Sequence, residues 1–178
     1  RTIGLENLPE GNCLFVGNHQ SYLDIPLVLS QINKPIGFIA KKELKAVPFI
    51  GYWMKKINCV FLNRNNVREA IDSINRGAYN LQNLCSMLIF PEGTRSKSDK
   101  IGNFKKGSMK LALKSSVPIV PITISGSYKA YESNNNKFSP ANITLVIGRP
   151  ISIDSLSKDE LKNLSEIIRE IIQNNYHK

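Results

Sequence analysis

The sequence holds two histidines, His19 and His177. His177 is next to last, in a polar tail, and nothing beside it suggests chemistry. His19 stands in the stretch NHQSYLD (18–24), directly after the apolar run 13–17 and before a helical pattern. A histidine with a carboxylate partner can work as a general base. The acid keeps one ring nitrogen protonated and leaves the other free to take a proton. His19 and Asp24 are five positions apart. In one continuous helix that spacing would turn the two side chains about 140° away from each other. They meet if His19 lies in the loop and Asp24 in the first turns of the helix, with Ser21 as a candidate N-cap. Such a pair arises often by chance, so its neighbours decide its weight.

A second cluster, FPEGTRS (90–96), follows the apolar run 87–89. Gly93 permits close backbone approach, Thr94 and Ser96 offer hydroxyls, and the planar fork of Arg95 suits a phosphate. A plain tight turn capping a strand would look similar. VFLNR (60–64) repeats the arrangement, a buried strand ending in the cation Arg64. VPIVP (117–121) places two prolines in an apolar run. Proline favours strand starts and edges, so this segment is expected to shape a pocket wall without entering the chemistry.

These clusters need elements to hold them. Short apolar, β-rich runs predict strands at 14–16, 36–39, 59–62, 87–90, 119–125 and 143–147. Helical spacing covers about 22–32, 43–55, 66–84 with an interruption at Gly77, 105–115, and 158–175. The last opens on Ser157 and Glu160, a capping-box pattern, and carries the apolar stripe Leu161, Leu164, Ile167, Ile168, Ile171 and Ile172. Strands alternating with helices predict a single-domain α/β fold, its largely parallel, mixed sheet covered by helices on both faces. In such sheets ligands sit beyond the carboxyl ends of the strands, which is where the polar clusters fall. Two connections, 96–103 and 128–140, are expected to be long and mobile.

Composition narrows the partners. With 42% hydrophobic and 21% charged residues the chain is an ordinary globular sequence. Its 24 Lys and Arg against 14 Asp and Glu leave +10, an excess that favours anionic partners. Nucleic acid is disfavoured: no stacking surface of interleaved aromatics and no known binding module is apparent. Cys13, Cys59 and Cys85 lie far apart in apolar runs, which suits buried free thiols and fits neither a disulfide framework nor zinc spacing. No stretch nears 18 consecutive apolar residues, and no secretory signal is present. The segment 41–56 sets five lysines (Lys41, Lys42, Lys45, Lys55 and Lys56) around an aromatic and aliphatic centre. It reads either as an interfacial helix on anionic lipid or as a buried helix with snorkelling lysines.

In order and separation, NHQSYLD, VFLNR, FPEGTRS and VPIVP resemble the four sequence blocks of the glycerolipid acyltransferases, most of all the bacterial 1-acylglycerol-3-phosphate acyltransferases. AKKEL (40–44) with Pro48 and Gly51, and FKKG (104–107), fit as well, so the likeness runs over about residues 10–150. The resemblance implies that His19 is the base and Asp24 its orienting partner. It implies that Arg64, Glu92, Gly93, Thr94 and Arg95 bind the glycerol-phosphate acceptor, with Lys41 and Lys106 as further phosphate or donor contacts. It implies transfer of a fatty acyl group to lysophosphatidic acid, giving phosphatidic acid, without a covalent acyl-enzyme, metal or cofactor. Acyl-CoA or acyl carrier protein would be the co-substrate. Glycerol 3-phosphate or another lysolipid remains open as acceptor, and a thioesterase with a serine or cysteine nucleophile is the rival outside the family. The expected place is the cytoplasmic face of the cell membrane, against its anionic surface, peripheral or N-terminally anchored. Two departures stand out. Asn63 occupies a position where an acidic or other polar residue is expected, and the apolar helices that usually open family members are expected to be absent here or reduced to the few residues before Pro9.

Overall fold

A computed structural model describes residues 1–63 and 65–176; Arg64 and His177 lie outside the described residues, as does Lys178. Strands and helices alternate: β1 (Thr2–Ile3), β2 (Leu14–Gly17), α1 (Asp24–Gln31), β3 (Ile36–Lys41), α2 (Ile50–Lys56), β4 (Val60–Leu62), α3 (Val67–Asn83), β5 (Ser86–Ile89), α4 (Lys110–Ser115), β6 (Ile119–Ser125), β7 (Thr144–Ile147) and α5 (Lys158–Asn175). The strands form one sheet in the order β1-β7-β6-β2-β5-β3-β4. All neighbours run parallel except β6 and β7. The short edge strand β1 carries too little pattern to be seen in sequence.

Side chains alternate between two cores, as a sheet buried on both faces requires. Leu14, Val16, Met87 and Ile89 face the layer of α3, α4 and α5, where Leu81, Leu111, Leu164, Ile168 and Ile172 meet them. Phe15, Leu88, Val120 and Ile122 face the other layer with Val28 of α1, and Met54 of α2 packs at its margin. Each buried Leu or Ile of α5 contributes about 1.5–3 kcal/mol. The helix opens on the expected capping box, Ser157 and Glu160 bonding reciprocally.

Strand β2 lies between β5 and β6, so the chain departs from it in both directions. The register pairs Val16 with Ile89. His19 and Glu92, each three residues beyond that pair, therefore emerge side by side. At this point Asn18 continues the ladder with its side chain. Its amide nitrogen donates to the Ile124 carbonyl and its oxygen accepts from the Ile124 amide, both at 2.8 Å. The backbone is thereby free to turn while β6 stays satisfied.

Four expectations are modified. The helix expected over 43–55 divides into a 3₁₀ turn, Lys42–Ala46, and α2, with Phe49 at φ 60° between them. Helix α3 passes through Gly77 unbroken; a Cβ there would lie 2.9 Å from Leu111 Cδ1, so the glycine serves close approach of α4 rather than an interruption. Helix α1 starts at Asp24 without a side-chain cap, and the Ser21 hydroxyl accepts from the Leu23 amide at 3.0 Å instead. Finally, β6 runs inside the sheet and lines no cavity described below. Pro121 is tolerated because the chain opposite it bulges. Three residues (148–150) face two (120–121) between the Ile122–Ile147 pair and the Ile119–Ile151 bridge.

Candidate active site

The backbone of His19 is fixed from both sides. Its amide donates to Glu92 Oε1 and its carbonyl accepts from the Ser96 amide, each at 2.8 Å. The ring stacks on Phe90, centroids 4.0 Å apart and planes within 8°. Its Nδ1 lies 2.7 Å from Asp24 Oδ2, with the His19 side chain 16% exposed and that of Asp24 fully buried. The same Oδ2 accepts from the amides of Gln20 (2.7 Å) and Ser21 (2.9 Å), and Oδ1 accepts from the Ser127 hydroxyl at 2.5 Å. A carboxylate already receiving two amides acts as an acceptor, so the ring proton belongs on Nδ1. Among the described residues no hydrogen bond engages Nε2. The geometry expected from spacing is realised: histidine in the loop, aspartate at the first helical position.

Glu92 takes partners other than a ligand. Its Oε2 accepts from the Gly102 amide at 2.9 Å while Oε1 holds His19, so the carboxylate fastens two loops. Burial pushes this carboxyl up, against the two amides that favour its charge. Gly93, at φ 75°, closes a turn by donating to the Phe90 carbonyl. Thr94 is exposed beside it. Arg95 packs its guanidinium 3.3 Å from the ring centre of Tyr22 and donates to Glu132 Oε1 at 3.1 Å.

Glu132 was not legible in sequence. With its side chain only 2% exposed, it accepts from the Ser21 hydroxyl (2.6 Å) and the Tyr22 amide (2.9 Å) in addition to Arg95. Burial opposes its charge, yet these hydrogen bonds outweigh burial and hold the carboxyl below its ordinary range. The connection 128–140, expected to be long and mobile, is shaped by two 3₁₀ turns, Ser127–Ala130 and Glu132–Asn134, and brings this acid against the histidine block. Glu132→Ala is expected to cost about 1–3 kcal/mol for each donor left without an acceptor. Its urea midpoint should fall well below that of Glu132→Gln, and equal midpoints would show that the carboxylate braces nothing.

Beside the histidine lies an apolar groove of about 360 Å³, walled by Ile39, Val60, Leu62, Ile74, Ile89 and Leu111. Phe90 is shared: it lines the groove and carries the His19 ring. Lys105 and Lys110 also line the groove, whereas Lys106 is exposed outside it and Lys41 is exposed at the end of β3. Arg64, expected at the acceptor site, lies outside the described residues, and Asn63 before it donates to Glu69 at 3.0 Å. The structure thus brings His19, Asp24, Glu92 and Arg95 into one network and adds Phe90, Ser127 and Glu132 to it.

Comparison with known proteins gives concordant findings. The family model described as Acyltransferase matches residues 1–125. A 1-acyl-sn-glycerol-3-phosphate acyltransferase of Saccharomyces cerevisiae is 36% identical over 174 residues, 96% of this chain and 57% of the yeast protein. A probable 1-acyl-sn-glycerol-3-phosphate acyltransferase of Mycoplasma genitalium is 34% identical, covering 98% of this chain and 69% of its own length. The crystal structure of the 1-acyl-sn-glycerophosphate acyltransferase PlsC from Thermotoga maritima superposes with a TM-score of 0.83 at 33% identity, over 98% of this chain and 69% of that one. The chain spans about half the length of several curated relatives that it matches, 42–57% among four of them.

Proposed function

The chain belongs to the acyltransferase family, and from that premise we propose that it transfers a fatty acyl group from a thioester to the free hydroxyl of 1-acylglycerol 3-phosphate, yielding phosphatidic acid. The observation that carries this reading is the His19–Asp24 pair at 2.7 Å, with Nε2 unengaged among the described residues, beside an apolar groove. Nε2 takes the hydroxyl proton as the oxygen attacks the thioester carbonyl. The tetrahedral intermediate collapses, expelling thiolate, and the proton on Nε2 passes to the sulfur. Acyl-CoA or acyl carrier protein supplies the thioester, and no metal or other cofactor is required.

Full proton removal before attack would be prohibitive. An alcohol titrates near water and free imidazole near 6.5, a gap of roughly nine units or about 12 kcal/mol. Proton transfer therefore accompanies attack, and the base contributes about 10²–10⁴ in rate. Alignment of the two substrates supplies much of the rest. The groove fits that need: an acyl chain along its walls ends beside Phe90, on which the base is stacked. Ile74→Trp should shift preference toward shorter thioesters. Each methylene displaced costs about 0.8 kcal/mol, about fourfold in kcat/KM. A chain-length profile identical to wild type would place the acyl chain elsewhere.

The acceptor phosphate is assigned to Arg95 together with Arg64 from the second block. Because Arg95 already donates to Glu132, the phosphate approaches a fork that is partly engaged. Charge-assisted bonds contribute about 1.5–3 kcal/mol, so Arg95→Ala is expected to raise the acceptor KM about tenfold, near the lower end of that range, with kcat little changed. Titration of acceptor at saturating donor measures this; an unchanged KM would remove Arg95 from the phosphate site. A hydrolase working through a cysteine finds little support. Burial pushes the thiols of Cys13 and Cys59 up to about 11 and raises that of Cys85, which leaves them protonated. The defining experiment offers lysophosphatidic acid, glycerol 3-phosphate and other lysolipids with both donor types and identifies products by mass. Phosphatidic acid as the main product supports the reading; free fatty acid alone would overturn it.

A further inference from the structure

After β3 the chain exposes residues 41–50 without a break. Leu44, Val47, Phe49, Ile50, Tyr52 and Trp53 are all exposed along this arch and the start of α2. Isolated apolar residues on a surface are ordinary, but a contiguous aromatic and aliphatic patch is not. At its tip, Phe49 adopts φ 60° and ψ −52° while the Pro48 carbonyl accepts from the Ile50 amide at 2.6 Å. This is a γ-turn of positive φ, a rare and strained conformation for a bulky side chain. Such strain ordinarily survives where packing fixes the side chain, yet Phe49 is 83% exposed. The arch is fixed from beneath instead. Gly51 is buried, and a Cβ there would lie 2.3 Å from the Lys45 carbonyl oxygen. Tyr52 and Trp53 meet edge to face at 5.7 Å. The fold therefore holds an aromatic tip outward.

Charge and position say what the tip meets. Lys41, Lys45, Lys55 and Lys56 surround it, with Glu43 the single acid within 41–56, while Lys42 is paired with Glu69 at 2.7 Å. The arch begins where β3 ends, and the carboxyl ends of β2, β5 and β3 share one edge of the sheet. His19 emerges from that same edge. A second copy of the chain docking patch to patch would bring like-charged lysines together, because a two-fold contact sets the same surface against itself.

We infer that this arch inserts its aromatic tip into the interfacial layer of an anionic bilayer, the lysines lying at the level of the lipid phosphates, so that the edge bearing His19 faces the membrane. Aromatic residues at that depth, bordered by basic ones, match the chemistry of such an interface. The inference deepens the proposed function and rests on its lipid acceptor.

Trp53 is the only tryptophan of the sequence, so intrinsic emission reports on the tip directly. Vesicles of phosphatidylcholine containing phosphatidylglycerol should shift its emission to shorter wavelength and shield it from acrylamide, and brominated acyl chains should quench it. Phosphatidylcholine alone, or high salt, should weaken all three effects. Lys55→Gln with Lys56→Gln should lower vesicle affinity about 30-fold. Phe49→Asp should abolish the shift, with circular dichroism and turnover of a short-chain, water-soluble acceptor unchanged. Wild-type emission indifferent to anionic vesicles would overturn the inference. So would a blue shift that grows with protein concentration in the absence of lipid, which would mean that a second copy covers the patch. The fluorescence outcome is separable from the reaction: His19→Ala should show the full shift although its turnover is lowered by about 10²–10⁴.

Discussion

Replacing His19 with alanine is expected to lower turnover by about 10²–10⁴ while leaving the Michaelis constant for the acceptor nearly unchanged. The separation is possible because this residue is held through its backbone. Both bonds that fix it, to Glu92 and from Ser96, use main-chain atoms and survive the substitution. What is removed is the ring, its stack on Phe90 and its bond to Asp24. An interaction made only while the proton moves appears in kcat and kcat/KM together rather than in KM. Single-turnover transfer from a labelled thioester measures the chemical step apart from product release. Product formed at wild-type speed would eliminate the imidazole as base.

Asp24→Asn is expected to reduce turnover by a similar factor with only a small loss of stability. Three donors converge on Oδ2 and the Ser127 hydroxyl donates to Oδ1. An asparagine keeps its carbonyl oxygen for the three donors if its amide nitrogen takes the place of Oδ1, where Ser127 can reverse its hydroxyl and accept. The turn survives, but the charge that steadies an imidazolium formed during transfer is gone. Asp24→Ala differs. It leaves buried donors without an acceptor, at about 1–3 kcal/mol each, and should lower the melting temperature markedly. Asparagine with both normal stability and normal activity would show that orientation alone, without charge, is what the aspartate provides.

Much of this arrangement is local, and local features can be read from sequence. The capping box of α5 lies within four residues, and its apolar stripe follows helical spacing, so both appear as expected. The meeting of His19 with Asp24 needed only a loop followed by a helix start. Other features depend on distant partners. Glu132 reaches Ser21 across 111 positions, and nothing in a polar, asparagine-rich stretch marks one glutamate as buried. Glu92 belonged to a recognisable cluster, but the amide of Gly102 that claims its carboxylate follows from loop closure rather than pattern. Gly77 looked like a helix interruption because the approach of Leu111 is a tertiary fact. Phe49 broke a helix whose apolar content looked continuous, since its strained turn depends on how Gly51 passes Lys45.

The turn that carries His19 also has a brace from far along the sequence. Gln20 donates to the Tyr176 hydroxyl at 2.6 Å, a contact spanning 156 positions, and donates to the Ser98 carbonyl as well. The seating of α5 is thereby coupled to the loop that presents the imidazole, so a change that loosens this helix is expected to be felt at the base as well as in the core.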